Sequence, residues 1–519
     1  MKSQGLIANT MILTATSFIT RTVGMISIVY ISNALGPEGM GLYQLIMSIY
    51  IMAVIFASAG ISVSVSKLVA EELSRQQFES AKQIMTIVFL FGGLLSSLIC
   101  MLLFTYAPQI ALIFIKDPRA TWGLRMLSLS IPFMALSSCF KGYFYAVKRV
   151  IKPASADVLE QFVKLGLIMI LVNLWSPRGL AYAYAAIGIA MTIGEMVSWS
   201  YMLTFYILDH RRYGVASRTS SDAKGILLRL LGVALPVAAI AYISSVFMSL
   251  ENVLIPIGLR KFGATQEASM SLYGMVKGMV LPILFFPAAF LTAFSTTLVP
   301  EIARANTLRH YKTVRHTTHR VLHFTFILSI FVVSIFMSYS QELGVVIYKN
   351  EQIGPILKTL ALIVPFMYIE VVSDGILKGL GKQMSCLKYS IIDSIFRISM
   401  IYFLIPIKGI SAFLAIMILS NTLTCSLNFN RLLETANLNI EVSKWILKPA
   451  IAATASVLFS KYFMNCLTTY ALPLLIQCII SIALSTLIYI ILLFLIECLT
   501  PVDMQWLRRS IRSFIASYL

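Results

Sequence analysis

Runs of about 20 apolar residues recur from one end of this chain to the other, the length a helix needs to cross the hydrocarbon core of a bilayer. Inside hydrocarbon every backbone N–H and C=O has to be met within the protein, so only helices and closed barrels span. Long uninterrupted apolar runs, rather than short alternating ones, select helices. Composition agrees. Residues are 58% hydrophobic and only 12% charged, and the mean hydropathy is +0.85, whereas a soluble domain carries about a quarter charged residues. The expectation is an all-α polytopic membrane protein of about fourteen transmembrane helices. The first run, from Leu6 to about Ile31, exceeds a signal-peptide core and is followed by no small-residue cleavage site, so it is expected to be retained.

A net charge of +19 would ordinarily suggest nucleic acid, but its placement excludes that reading. The basic residues gather in alternate loops, among them Lys148/Arg149/Lys152, residues 211–229, residues 304–320 and Arg508/Arg509/Arg512. The positive-inside rule assigns those loops and both termini to the cytoplasm. The excess charge is a topology signal, with attraction to anionic lipid as a secondary effect. No nucleic-acid partner is expected, and the bilayer itself is the first partner. The seven cysteines are scattered through apolar runs without a CxxC pair, which supports neither a disulfide framework nor a zinc site.

The chain repeats itself. Leu42-Tyr43 precedes Leu68-Val69-Ala70-Glu71, and Leu272-Tyr273 precedes Leu298-Val299-Pro300-Glu301, both elements displaced by the same number of residues. Pro132-Phe133-Met134 recurs as Pro365-Phe366-Met367 at nearly that displacement. Because an even number of spans separates the copies, the repeat is expected to be parallel, six helices plus six. The organisation read from this is an N-lobe over 1–208, a basic linker over 209–229, a C-lobe over 230–430, and two additional helices with a tail over 431–519.

Ionisable groups at membrane depth are costly and face a polar interior or one another. Glu160/Lys164 and Asp393/Arg397 are i,i+4 acid–base pairs at equivalent places in the two copies, and are read as structural ion pairs. The remaining candidates, all assigned to a cavity, are Arg21, Lys141, Glu195, Glu251, Lys277, Glu370 and Asp374. Under the repeat Arg21 corresponds to Glu251, and Lys141 to Asp374, so charges of opposite sign hold equivalent places. Two readings stay open: a latch that pairs them between lobes, or a separate partner for each within its own lobe. Arg21 and Lys277 suit a phosphate or pyrophosphate, because a guanidinium fork matches phosphate oxygens and an ammonium adds a point charge.

His316, His319 and His323 share a helical face near His310, but Arg309, Lys312, Arg315 and Arg320 would repel a cation, so no metal is expected. Residues 298–320 read instead as an interfacial basic amphipathic helix. No Walker motif, nucleophile elbow or HExxH occurs, and the outer loops are short, so no enzyme is expected.

Several segments resemble one family. Ala34-Leu35-Gly36-Pro37-Glu38-Gly39-Met40-Gly41-Leu42-Tyr43, Ser66-Lys67-Leu68-Val69-Ala70-Glu71 and Lys141-Gly142-Tyr143-Phe144-Tyr145-Ala146 are similar to signatures of polysaccharide-type flippases. These belong to the multidrug/oligosaccharidyl-lipid/polysaccharide exporter superfamily, and in length and wording the chain resembles its stage V sporulation protein B group. The resemblance implies a pair of six-helix lobes, a central cationic cavity and alternating access in a bacterial cytoplasmic membrane. It also implies substrate contacts from the first and eighth helices, where Arg21 and Lys277 fall, and a groove for a polyprenyl tail formed by the last two helices. A single arginine in the first helix and the acidic Glu251 and Asp374 depart from that pattern.

The function expected from these readings is a secondary flippase carrying an undecaprenyl-diphosphate-linked saccharide, a peptidoglycan precursor for the spore cortex, from inner to outer leaflet. No cofactor is expected beyond coupling to the membrane potential or to Na⁺ or H⁺, and the chain is expected to act as a monomer. The alternatives are an ion-coupled multidrug exporter of the same architecture, to which Glu195 or Glu370 would contribute a cation site, and a membrane-embedded lipid-linked sugar polymerase.

Overall fold

In the computed structural model, residues 2–210, 223–438, 441–467 and 472–499 are described, and nearly all of them are helical. The first seven helices are α1 (Lys2–Ser58), α2 (Ile61–Ser74), α3 (Phe78–Ile110), α4 (Ala120–Ser128), α5 (Ile131–Ala146), α6 (Ile151–Trp175) and α7 (Leu180–His210). There follow α8 (Ala223–Lys261), α9 (Gln266–Tyr273), α10 (Leu281–Thr307), α11 (Tyr311–Ser338) and α12 (Ser340–Tyr348). The chain continues through α13 (Ile353–Leu360), α14 (Val364–Gly379), α15 (Gln383–Ala436), α16 (Lys448–Leu467) and α17 (Leu474–Leu495). Among the described residues there is no strand.

The helices turn a greasy face outward. On α3, Leu90, Leu94, Leu98 and Met101 are exposed, while Ile84, Val88, Gly92 and Ser96 are buried. The outer stripe is thus more apolar than the inner one, the reverse of a soluble helix and what a hydrocarbon solvent requires. The same inversion marks α17, whose buried face carries Gln477, Ser481 and Ser485 while Leu475, Ile479, Leu487 and Leu495 point outward. Small residues there let two helix backbones approach where lipid supplies no hydrophobic drive.

Eleven helical segments among the described residues are long and apolar enough to span. That number counts broken helices once. Gly36, at φ 69°, interrupts α1, and Gly409, at φ 61°, interrupts α15, so each of these segments has two arms. The 20-residue α16 lies outside the eleven.

The repeat is written in the backbone. Gln76, Lys116 and Lys148 are left-handed, and so are Arg309, Lys349 and Gly381, each displaced from its counterpart by 233 residues. These positions end helices, where a left-handed residue lets the following N–H groups bond back to the last turn. After Lys148 the Arg149 N–H donates to Phe144 O, and after Gly381 the Lys382 N–H donates to Leu377 O in the equivalent turn.

By packing, the described chain divides into two compact units. One comprises Ala15–Ile257 with Thr265–Gly274, the other Met1–Thr14, Gly258–Ala264 and Met275–Leu519. Most of α8, counted with the C-lobe in the sequence repeat, therefore packs with the first lobe. Arg229 bonds Glu71 and Glu72 of α2, Tyr242 stacks on Phe56 at 4.6 Å, and Asn252 donates to Ser48 Oγ at 3.2 Å. Of the expected linker, residues 211–222 lie outside the described residues, and 223–229 are the start of α8. The interfacial helix expected over 298–320 is also not a single element. Leu308–His310 form a turn between α10 and α11, with Arg309 left-handed, so the basic residues 311–320 open a long apolar helix.

In the second unit α16 and α17 pack on each other and α16 packs on α11. Tyr489 Oη donates to Ile327 O at 2.9 Å, Tyr339 Oη and Ser460 Oγ are 2.7 Å apart, and Lys461 bonds Glu342 at 2.5 Å.

Candidate functional site

The buried charges of the first unit converge on α6. Lys164 sits between two carboxylates, Glu160 Oε1 at 2.6 Å and Glu195 Oε1 at 2.8 Å. Glu160 and Lys164 meet because they are one helical turn apart, and Glu195 reaches them because α7 packs along α6. Gly194 permits that approach: a Cβ there would stand 2.4 Å from Lys164 Cγ. One turn earlier on α6, Asp157 pairs with Lys141 of α5 at 2.7 Å. Three ionisable groups on α6 thus meet one from α5 and one from α7, three acidic and two basic in all. Glu195, expected as a separate cavity residue, belongs to the same cluster as the Glu160/Lys164 pair.

The second unit repeats the motif in reduced form. Asp393 and Arg397 of α15 form an ion pair, and Ser420 Oγ donates to Asp393 Oδ1 at 2.6 Å. Here the neighbour on the far arm of α15 is a hydroxyl that donates to the acid, whereas on α7 it is Glu195, which accepts from the base. Asp374 pairs with Lys378, one turn on, at 2.6 Å. Glu370 is half-buried on α14.

Lys141 and Asp374 each have an ion-pair partner within their own unit. Arg21 and Glu251, which both belong to the first unit, form no ion pair with each other among the described residues. Glu251 is buried on α8, 7% exposed, beside the Ser48–Ser249–Asn252 bonds, and its charge faces Tyr273. Lys277 is half-buried in a widened turn, Gly274–Val280, between α9 and α10.

Arg21 is different in kind. It is exposed on the first arm of α1 among exposed Phe18, Ile19 and Ile26, and it takes part in no ion pair among the described residues. A guanidinium on an apolar helix needs water or an anion near it, so this position is open to a ligand.

The glycine-rich segment has a structural reason. Gly36 makes the turn between the arms of α1, and just beyond it the backbone meets α9 at close range. A Cβ at Gly41 would stand 2.1 Å from Met270 O, and one at Gly274 would stand 2.0 Å from Pro37 O. Beside this contact Arg119 bridges Glu38 at 2.6 Å and Asp117 at 2.7 Å. Those two carboxylates raise the Arg119 guanidinium pKa, holding the charge fixed outside the spanning segments. Sequence reasoning missed Asp157, Asp117 and Arg119: the Asp157–Lys141 and Arg119–Glu38 pairs join different elements, while Asp117 and Arg119 are neighbours in one connecting loop. Glu38 was visible inside the quoted motif, but without its partner.

The chain matches the family described as "Polysaccharide biosynthesis protein" over residues 6–289, more than half of its length, and the MatE family over residues 275–403. It is 24% identical over 457 residues to stage V sporulation protein B of Bacillus subtilis (strain 168), covering 87% of this chain and 88% of that protein. It is 22% identical over 410 residues to the lipid II flippase MurJ of the same organism, covering 73% and 74% respectively. A solved structure of a lipid II flippase MurJ in an inward closed conformation superposes with a TM-score of 0.69 at 14% identity, over 92% of this chain and 97% of that one. The chain belongs to the polysaccharide biosynthesis protein family, and is a multi-pass transporter of the multidrug/oligosaccharidyl-lipid/polysaccharide exporter superfamily.

Proposed function

We propose that the protein is a secondary flippase for an undecaprenyl-diphosphate-linked saccharide, a peptidoglycan precursor used for the spore cortex, which it moves from inner to outer leaflet by alternating access. The observation that carries this reading is Arg21: an exposed guanidinium without an ion-pair partner among the described residues, beside the exposed apolar Phe18, Ile19 and Ile26. A diphosphate offers that fork the bidentate oxygens it fits. Lys277 is proposed as a second cationic contact along the substrate's path. The likeness to stage V sporulation protein B and to a lipid II flippase supports the same substrate class.

Moving net negative charge outward across an inside-negative membrane is favourable by about 2.3 kcal/mol per charge per 100 mV. The membrane potential then suffices as a driving force, without a coupled ion. In this reading the acidic members of the α6 cluster hold lysines in place and do not bind substrate.

The MatE match over residues 275–403 favours a second reading, an ion-coupled multidrug exporter. The two readings separate in vesicles reconstituted with the wild-type chain. Translocation of a labelled undecaprenyl-diphosphate saccharide, with no uptake of cationic dyes, is the result expected here. Dye uptake driven by a Na⁺ or H⁺ gradient, with no lipid translocation, would establish the exporter instead.

A further inference from the structure

At the start of α11 six residues fall on one helical face: Lys312, Arg315, His316, His319, Arg320 and His323, spaced by three or four positions. All six line one cavity of about 480 Å³, within the size range of small-ligand sites. Its opposite wall is Lys444 and Trp445, with Glu441, Glu497 and Cys498 completing it. Every lining residue belongs to the second compact unit.

A helix stripe that faces a partner helix is normally apolar, and like charges at i,i+4 repel. Here the stripe is basic for about three turns. Among the described lining residues, four permanent cations (Lys312, Arg315, Arg320, Lys444) face two carboxylates, Glu441 and Glu497. Glu441 is already committed to Lys444, its Oε2 2.6 Å from Nζ, and that bond lowers the carboxyl pKa. The excess among these residues is positive before any imidazole is protonated.

The cavity is also built rather than loose. Trp445 is fully buried, with the His319 ring edge-on at 4.9 Å and the His323 ring stacked at 6.3 Å. His323 Nε2 lies 3.7 Å from Cys498 Sγ, and the Cys498 thiol donates to Lys444 O at 3.3 Å. Lys444 and Trp445 stand on a widened helical turn, Ser443–Leu447, a distortion that recurs at functional sites. The indole therefore fixes the imidazole side of the cavity, while Lys312, Arg315 and His316 remain exposed at its mouth.

We infer that this cavity between the start of α11 and the Ser443–Leu447 turn is a binding site for a phosphoryl group, separate from the transport path. Two guanidiniums, two ammoniums and the imidazoles around a space of this size match phosphate oxygens in both charge and donor number. The group can be carried by an anionic phospholipid headgroup or by a soluble pyrophosphate-like ligand. The inference does not depend on what the protein transports.

The test uses the purified full-length chain in detergent, in a phosphate-free buffer. Native mass spectrometry reads retention of phosphatidylglycerol against phosphatidylcholine, and calorimetry reads binding of inorganic pyrophosphate. The variant Lys312→Gln/Arg315→Gln changes only exposed side chains, with Arg315→Lys as the charge-keeping control. Loss of two charge-assisted contacts is expected to weaken binding by about tenfold or more. Selective retention of phosphatidylglycerol that the double variant loses and Arg315→Lys keeps assigns the site to a lipid headgroup. Pyrophosphate binding with the same pattern and no lipid preference assigns it to a soluble ligand. A second readout needs no variant: pyrophosphate or phosphatidylglycerol should shield His316, His319 and His323 of the wild-type chain from diethyl pyrocarbonate. Absence of binding by either probe, or binding undiminished in the double variant, overturns the inference.

Discussion

Lys164 shows how a single residue can hold a membrane cluster together. It pairs with two buried carboxylates, Glu160 and Glu195, at 2.6 and 2.8 Å. Removing one partner of such a group leaves uncompensated buried charge, which costs about 3–5 kcal/mol. Lys164→Met should lower the thermal stability of the purified protein by that order, and Glu160→Gln/Glu195→Gln in the same background should restore most of it. A Lys164→Met protein as stable as wild type would show that the cluster contributes no net stabilisation. Gly41 gives a steric counterpart. A methyl group there meets Met270 O at 2.1 Å, so Gly41→Ala should separate α1 from α9 and reduce folded yield, whereas Ala at Gly24, with nothing within 4 Å, should be tolerated. At this scale the sequence showed what lies within a helical turn, Glu160 with Lys164 and Asp393 with Arg397. It did not show Asp157 against Lys141 or Glu195 against Lys164, because those contacts depend on which faces of α5, α6 and α7 meet.

Helix ends and breaks carry the internal repeat more clearly than residue identities do. The left-handed positions Gln76, Lys116 and Lys148 recur as Arg309, Lys349 and Gly381, though only one of the six is glycine. A non-glycine residue pays a steric cost in that conformation, so Lys349→Gly should stabilise the protein by about 0.5–1 kcal/mol. Thermal denaturation checks this, and a lower melting temperature would contradict it. The break within α1 falls at Gly36-Pro37, inside the glycine-rich motif, and the break within α15 at Gly409, three residues after Pro406. Hydropathy misjudged the ends of α10 and α11, since residues 298–320 read as one basic amphipathic helix while the turn at Leu308–His310 divides them. The C-terminal pair is joined to the rest of its unit by specific bonds. A double-mutant cycle on Lys461→Ala and Glu342→Ala should show coupling of about 1 kcal/mol, whereas additive effects would mean that α16 is held by packing alone.

For the molecule as a whole, the apolar outer faces and the family match agree on a multi-pass membrane transporter; the first was legible from the recurrence of apolar runs, the second from the motifs at 34–43, 66–71 and 141–146. The packing units were less so. Correspondence between the copies assigned α8 to the C-lobe, but most of it packs with the first, a choice made by tertiary contacts such as Arg229 with Glu72. The alternating basic loops predict that both termini face the cytoplasm. A fluorescent protein fused after Leu519 should therefore mature, while an alkaline phosphatase fusion at the same point should stay inactive. The central claim, that the chain translocates a lipid-linked diphosphate through Arg21, is tested most directly in reconstituted vesicles. Translocation of labelled undecaprenyl-diphosphate saccharide should fall about tenfold or more in a correctly folded Arg21→Ala protein, consistent with loss of a charge-assisted pair. Translocation at the wild-type rate in that variant would contradict the account.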